Sequence, residues 1–148
     1  MKIRKAFQGT IPENKILDTF SESKTDAYSC NQSNKLSSYS YDEQVIGTWV
    51  NGKPLYRKTI NIGALPNKNS KYTNHNIENI STIVRVYGYA TNNTNYIPLP
   101  YAHSDTIGLS IVLYATKTQI GVQTGTDRSV YAQAEVTIEY VKSTDTAS

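Results

Sequence analysis

Beyond residue 40 the chain alternates apolar and polar side chains with a period of two, interrupted by clusters of turn-forming residues. That period sends successive side chains to opposite faces of an extended backbone, and so predicts strands. In "EQVIGTWVNGKPLYRKTI", residues 43–60, Val45, Gly47 and Trp49 alternate with Gln44, Ile46 and Thr48 and lead to Asn51-Gly52. Asn-Gly is favoured in two-residue type I′ turns because both central residues take positive φ, so the stretch predicts a hairpin. On the return strand Tyr56, Lys58, Ile60 and Ile62 share one face; Leu55, Arg57, Thr59 and Asn61 share the other. Pro54 cannot donate to a ladder, which places the start of this strand at an edge or a free position.

The pattern then lapses over residues 64–79 ("ALPNKNSKYTNHNIEN"), whose composition predicts a long surface loop. It resumes in "STIVRVYGYA", where Val84, Val86, Gly88 and Ala90 form the expected core face and Ile83, Arg85, Tyr87 and Tyr89 the opposite one. "YIPLPYA" predicts a proline-interrupted edge strand. "IGLSIVLYA" aligns Ile107, Leu109, Ile111, Leu113 and Ala115, and "IGVQT" follows after a turn. In "AEVTIEYV" Ala134, Val136, Ile138 and Tyr140 alternate with Glu135, Thr137 and Glu139. About seven or eight short strands, each with one apolar face, predict an all-β fold, an antiparallel β-sandwich of jelly-roll-like type over residues 41–148.

Residues 1–40 read as a separate N-terminal attachment or linker segment. "KILDTF" carries Ile16, Leu17 and Phe20, and over residues 21–40 a short helix capped by Thr25 or Asp26 fits the polar composition as well as a linker does.

Composition sharpens this picture. At 148 residues the chain is long enough for one domain with its own core. Hydrophobic content of 38% with only 18% charged residues leaves neutral Asn, Ser and Thr to cover a turn-rich surface. Twelve Tyr against two Phe and one Trp suit half-wet strand positions. The net charge of +3 is spread along the chain with only "KIRK" at 2–5 clustered, which argues against nucleic-acid binding. Cys30 stands alone, excluding an intrachain disulfide and a cysteine zinc site. No apolar run follows the basic N-terminus and none approaches the ~20 residues of a span, so neither a signal peptide nor membrane insertion is expected. The sequons at Asn31, Asn79 and Asn92 are what an Asn- and Ser/Thr-rich chain produces by chance.

Catalytic chemistry finds little support. His103-Ser104-Asp105 brings triad-type residues together, but sequence neighbours seldom point at one another and the same letters spell a polar turn. Glu135 and Glu139 lie on one strand face, roughly 13 Å apart at ~3.3 Å per residue, beyond the ~5–9.5 Å of a glycosidase pair. A solvated strand face is the expected role of these two. His75 and His103 are far apart without clustered acids, so no metal or cofactor is expected. What remains is Arg85, Tyr87 and Tyr89 on the face opposite the core. Such residues suit either contact between subunits or a saccharide, whose C–H face lies against an aromatic ring.

Residues 43–63, "EQVIGTWVNGKPLYRKTINIG", resemble a recurring segment in the C-terminal domains of bacteriophage tail-fibre, baseplate and minor structural proteins, from phages and prophages of Firmicutes and other gut bacteria. "DAYSCNQSNKL", "IENISTIVRVYGYA", "IPLPY" and "TGTDRSVYAQAEVTIEYVKSTD" resemble further pieces of that family in the same order. Together these cover roughly residues 26–146. The resemblance implies a non-enzymatic virion structural protein, made in the host cytoplasm and exposed on a tail fibre, baseplate or head surface. It implies a homotrimer placed where the phage meets its host, with the N-terminal segment joining other virion proteins; the shared face of Arg85, Tyr87 and Tyr89 adds the expectation that the head domain contributes to host adsorption by binding surface glycans. A head-fibre or decoration module without receptor binding, and a glycan depolymerase, are the alternatives it leaves open.

Overall fold

The computed structural model describes residues 38–147. The expectation for "KILDTF", and that of a helix or linker over residues 21–40 except for its last three residues, lie outside the described residues. Eight strands follow one another: β1 Gln44–Thr48, β2 Pro54–Asn61, β3 Ser70–Asn74, β4 Ile80–Thr91, β5 Tyr96–Leu99, β6 Ile111–Ala115, β7 Gln119–Thr124 and β8 Gln133–Lys142. They form a five-stranded sheet ordered β1-β2-β8-β4-β5 and a three-stranded sheet ordered β3-β7-β6, with every pairing antiparallel. β2 pairs with β8 while β3 pairs with β7. This nesting rolls one long hairpin into two facing layers, the predicted all-β sandwich.

The period-two pattern explains what lies between the layers. From the large sheet Ile60, Ala90, Ala134, Val136, Ile138 and Tyr140 point inward; Ile111, Leu113, Ile120 and Val122 answer from the small one. Val136, Ile138 and Tyr140 are fully buried. β8 lies between β2 and β4, so both of its edges are hydrogen-bonded and its inward side chains form the centre of the core. Burial of such side chains contributes about 1.5–3 kcal/mol each before the entropic cost of folding.

Four local expectations are corrected. The Asn51-Gly52 hairpin is real, but its loop is Val50-Asn51-Gly52 and not a two-residue type I′ turn. The Gly52 N–H donates to the Trp49 carbonyl and the Trp49 N–H to the Lys53 carbonyl. Only Gly52 of this loop has positive φ, +80°. A turn followed by a left-handed glycine is the usual three-residue solution.

The loop expected over residues 64–79 contains β3. Its inward positions are Lys71 and Thr73, so no apolar alternation marked it. Lys71 instead extends its Nζ to the Ala64 carbonyl at 2.7 Å. In β4 the register shifts between Ile83 and Arg85. The bulge turns Ile83 toward the core, opposite Tyr140, and leaves Arg85, Tyr87 and Tyr89 outward. Finally, Ile107–Leu109 is a 3-10 turn with Ile107 89% exposed, so that alternation becomes a strand only at Ile111.

Candidate functional site

The outward face of the five-stranded sheet carries the candidate site. Register places its side chains in rows across β2, β8 and β4: Arg57–Glu139–Arg85, Thr59–Thr137–Tyr87 and Asn61–Glu135–Tyr89. β5 adds Tyr96, whose ring centroid lies 6.0 Å from that of Tyr89. The three residues picked out by sequence, Arg85, Tyr87 and Tyr89, therefore share one surface.

The backbone ahead of β1 completes the site. The Thr59 N–H donates to the Ser40 carbonyl at 2.8 Å, so residues 38–41 run beside β2. This lays Tyr39 and Tyr41 over the sheet. Tyr39 meets Tyr87 edge-on, with 6.5 Å between centroids, and the Arg57 guanidinium sits 4.8 Å from the Tyr39 ring centre. The Tyr41 hydroxyl donates to Glu135 Oε1. Glu43 then fastens the segment: the Tyr140 hydroxyl donates to its Oε2, and Lys142 Nζ lies 2.5 Å from its Oε1.

Glu139 departs from the expected solvated role, being only 5% exposed. Arg57 donates to its Oε1 through Nε at 3.0 Å and Nη2 at 2.9 Å. Arg85 Nη1 is 4.0 Å from Oε2, and the Tyr87 hydroxyl donates to Oε1 at 3.2 Å. A buried carboxylate keeps its charge only with such partners. Burial first, then the hydrogen bond with Tyr39 and the negative charge of Glu139, raise the Tyr87 pKa above that of a free phenol. Arg85 is the outermost member, with its guanidinium 5.5 Å from the Tyr87 ring centre.

Glu135 is different in kind. Among the described residues it has a phenol partner, Tyr41, and no ion pair. Tyr89 beside it has a raised pKa through burial first and then the Glu135 charge. Between Glu135, Tyr39, Tyr87 and Tyr89 opens a cleft of about 340 Å³ whose floor includes Thr59 and Thr137. Those two hydroxyls are 2.9 Å apart and buried. The volume lies at the lower end of small-molecule sites, and such sites combine apolar walls with a few polar groups in the same way.

Sequence reasoning identified Arg85, Tyr87 and Tyr89 but not Tyr39, Tyr41 or the role of Glu135. The alternation in "YSYDE", residues 39–43, was the available signal, placing two tyrosines on one side of an extended segment. The other candidates take structural roles. The His103 Nδ1 accepts the N–H groups of Asp105 (3.3 Å) and Thr106 (3.1 Å), closing a polar turn. His75, 2% exposed, accepts the Ile77 N–H at Nδ1 and places Nε2 3.2 Å from the Thr116 carbonyl. Among the described residues no group of three His, Cys, Asp or Glu side chains is arranged to hold a metal ion, and no helix is long and apolar enough to cross a membrane. Comparison with protein-family models, with curated proteins and with solved structures finds no match.

Proposed function

We propose that this chain is a non-enzymatic structural protein of a phage virion, a homotrimeric domain at a fibre tip or surface projection that contributes to host adsorption by binding surface glycans. The observation that carries the glycan part is the cleft lined by Tyr39, Tyr87 and Tyr89 together with Thr59, Thr137 and the Glu135 carboxylate. Aromatic faces accept the C–H surface of a sugar ring, while hydroxyls and a carboxylate exchange hydrogen bonds with its hydroxyl groups. The virion assignment rests on the resemblance of residues 26–146 to phage fibre and baseplate domains. In this reading residues 1–40 join the domain to other virion proteins.

Both carboxylates of β8 support binding over hydrolysis. Glu139 is committed to Arg57 and Tyr87, and Glu135 accepts from Tyr41, so neither stands ready as a paired acid and base. The test is adsorption of the purified chain to host cells and to a glycan array, with Tyr87→Ala and Tyr89→Ala beside it. Retention by wild type and loss in both variants supports the reading. Blank results for the assembled protein on both surfaces overturn the adsorption role.

A further inference from the structure

The cleft continues past Tyr39. A second, smaller cleft of about 170 Å³ adjoins it and lies against Tyr41 and Ser40. Tyr39, Thr59 and Glu135 line both clefts. The two recesses therefore adjoin along a border these three residues share. Each recess has an aromatic wall of its own, Tyr87 and Tyr89 in the larger and Tyr41 in the smaller. A ligand filling both must be a chain of at least two linked units lying across the sheet; a single ring fills one recess only.

The charge pattern restricts that chain further. Arg57 is spent on Glu139, its guanidinium donating to one carboxylate oxygen through two nitrogens. Arg85 projects outward from the Arg57–Glu139 row, its side chain 66% exposed. Glu135, common to both recesses, has no ion-pair partner among the described residues. The phenols around it add no charge of either sign, since Tyr41 and Tyr89 both have raised pKa values and stay neutral at neutral pH. The shared wall is therefore an unneutralised carboxylate set in a largely aromatic groove. It accepts hydrogen bonds from ligand hydroxyls at charge-assisted strength and repels carboxylate, sulfate or phosphate groups placed beside it.

We infer that the two clefts are adjoining subsites for an uncharged oligosaccharide of two or more units, with Glu135 as the specificity residue that accepts hydroxyl hydrogen bonds and excludes acidic sugars. This rests on the glycan-binding reading of the same face and adds to it the length and charge of the ligand.

The experiment uses the full chain against neutral gluco-, galacto- and N-acetylglucosamine-oligosaccharides of one to six units, with uronate and sulfated counterparts of equal length. Affinity is expected to rise at least tenfold from one unit to two or three and then level off, with acidic counterparts at least tenfold weaker. Glu135→Gln keeps the shape and removes the charge. It should weaken neutral ligands about tenfold and erase the discrimination against acidic ones. Tyr41→Ala should lower affinity for two- and three-unit ligands at least tenfold more than affinity for single units, since its ring walls only the smaller cleft, and thermal melting confirms that both variants fold. Equal affinity for one unit and several, or preference for acidic chains, overturns the inference while the glycan-binding reading stands. No binding to any saccharide, together with no adsorption to host cells, removes both.

Discussion

Arg57 holds Glu139 through two donors to a single oxygen, Nε at 3.0 Å and Nη2 at 2.9 Å, with both side chains largely withdrawn from water. The pair joins the central strand β8 to β2 at directly opposed positions. Removing one member leaves an uncompensated charge, so Arg57→Ala should cost about 3 kcal/mol in denaturant unfolding. Replacing Glu139 by Gln, which still accepts from Arg57, should cost less. Equal stability of Arg57→Ala and wild type would show that Arg85 and Tyr87 suffice to hold the carboxylate.

Two glycines have unequal importance. A Cβ on Gly88 would lie 2.1 Å from the Glu135 carbonyl oxygen, a backbone atom of the paired strand that cannot move aside. On Gly121 it would meet the Tyr114 ring at 2.4 Å, a side chain that can swing outward. Gly88→Ala should therefore destabilise by more than about 3 kcal/mol, and Gly121→Ala by about 1 kcal/mol through the Tyr72–Tyr114 contact. Thermal melting of the two variants checks the order; a milder effect at Gly88 contradicts the close approach of β4 and β8.

The contrast between β8 and β3 shows what the sequence made legible. Ala134, Val136, Ile138 and Tyr140 announce β8 because each inward position is apolar, and all four are fully buried. β3 lies over the same core with Lys71 and Thr73 inward, and a strand whose buried side is aliphatic stem and hydroxyl leaves no hydrophobic period. Ile83 lies on the face opposite to the one its spacing predicts, because a bulge changes parity without changing composition. The site was half legible for a related reason. Arg85, Tyr87 and Tyr89 occupy one strand and show as a local pattern. Tyr39, Tyr41 and Glu135 reach them only through long-range pairing that no local spacing encodes.

His75 gives the fold a pH dependence in the mildly acid range. Burial lowers its pKa, the nearby Lys58 charge lowers it further, and the hydrogen bond to the Thr116 carbonyl opposes them. Below the free-histidine value of about 6.5 the unfolded chain takes up a proton that the folded chain resists. Stability from this group is thus complete above about pH 6.5 and declines as pH falls below it. Asp127, whose pKa Ser129 holds below the usual 3.8, adds a separate loss only in more acid solution. Denaturant midpoints between pH 7 and 5 should show the decline, and His75→Gln should flatten it. A decline unchanged in His75→Gln would assign it to other groups.

The proposed homotrimer has a direct physical signature. Light scattering or sedimentation on the full chain should return three times its mass of 16.5 kDa. A mass equal to one chain would refute the trimer.

The remaining prediction sets the two outer faces against each other, since both display tyrosines. Tyr72 and Tyr114 on the small sheet pack edge-on, 6.5 Å between centroids, with Val112 50% exposed nearby. Among the described residues no carboxylate belongs to that pair of rings, whereas Tyr87 and Tyr89 flank Glu135 and the threonine floor. Aromatic surface alone does not orient a polar ligand; a polar group such as the Glu135 carboxylate beside the rings does. Tyr89→Ala should therefore weaken glycan or host-cell binding about tenfold, the equivalent of ~1.4 kcal/mol of ring contact, with little loss of stability. Tyr72→Ala should leave binding unchanged, and any effect it has should fall on the mass of the assembly. The reverse pattern would move the binding surface to the three-stranded sheet and make the Tyr87–Tyr89 face the one covered by neighbours.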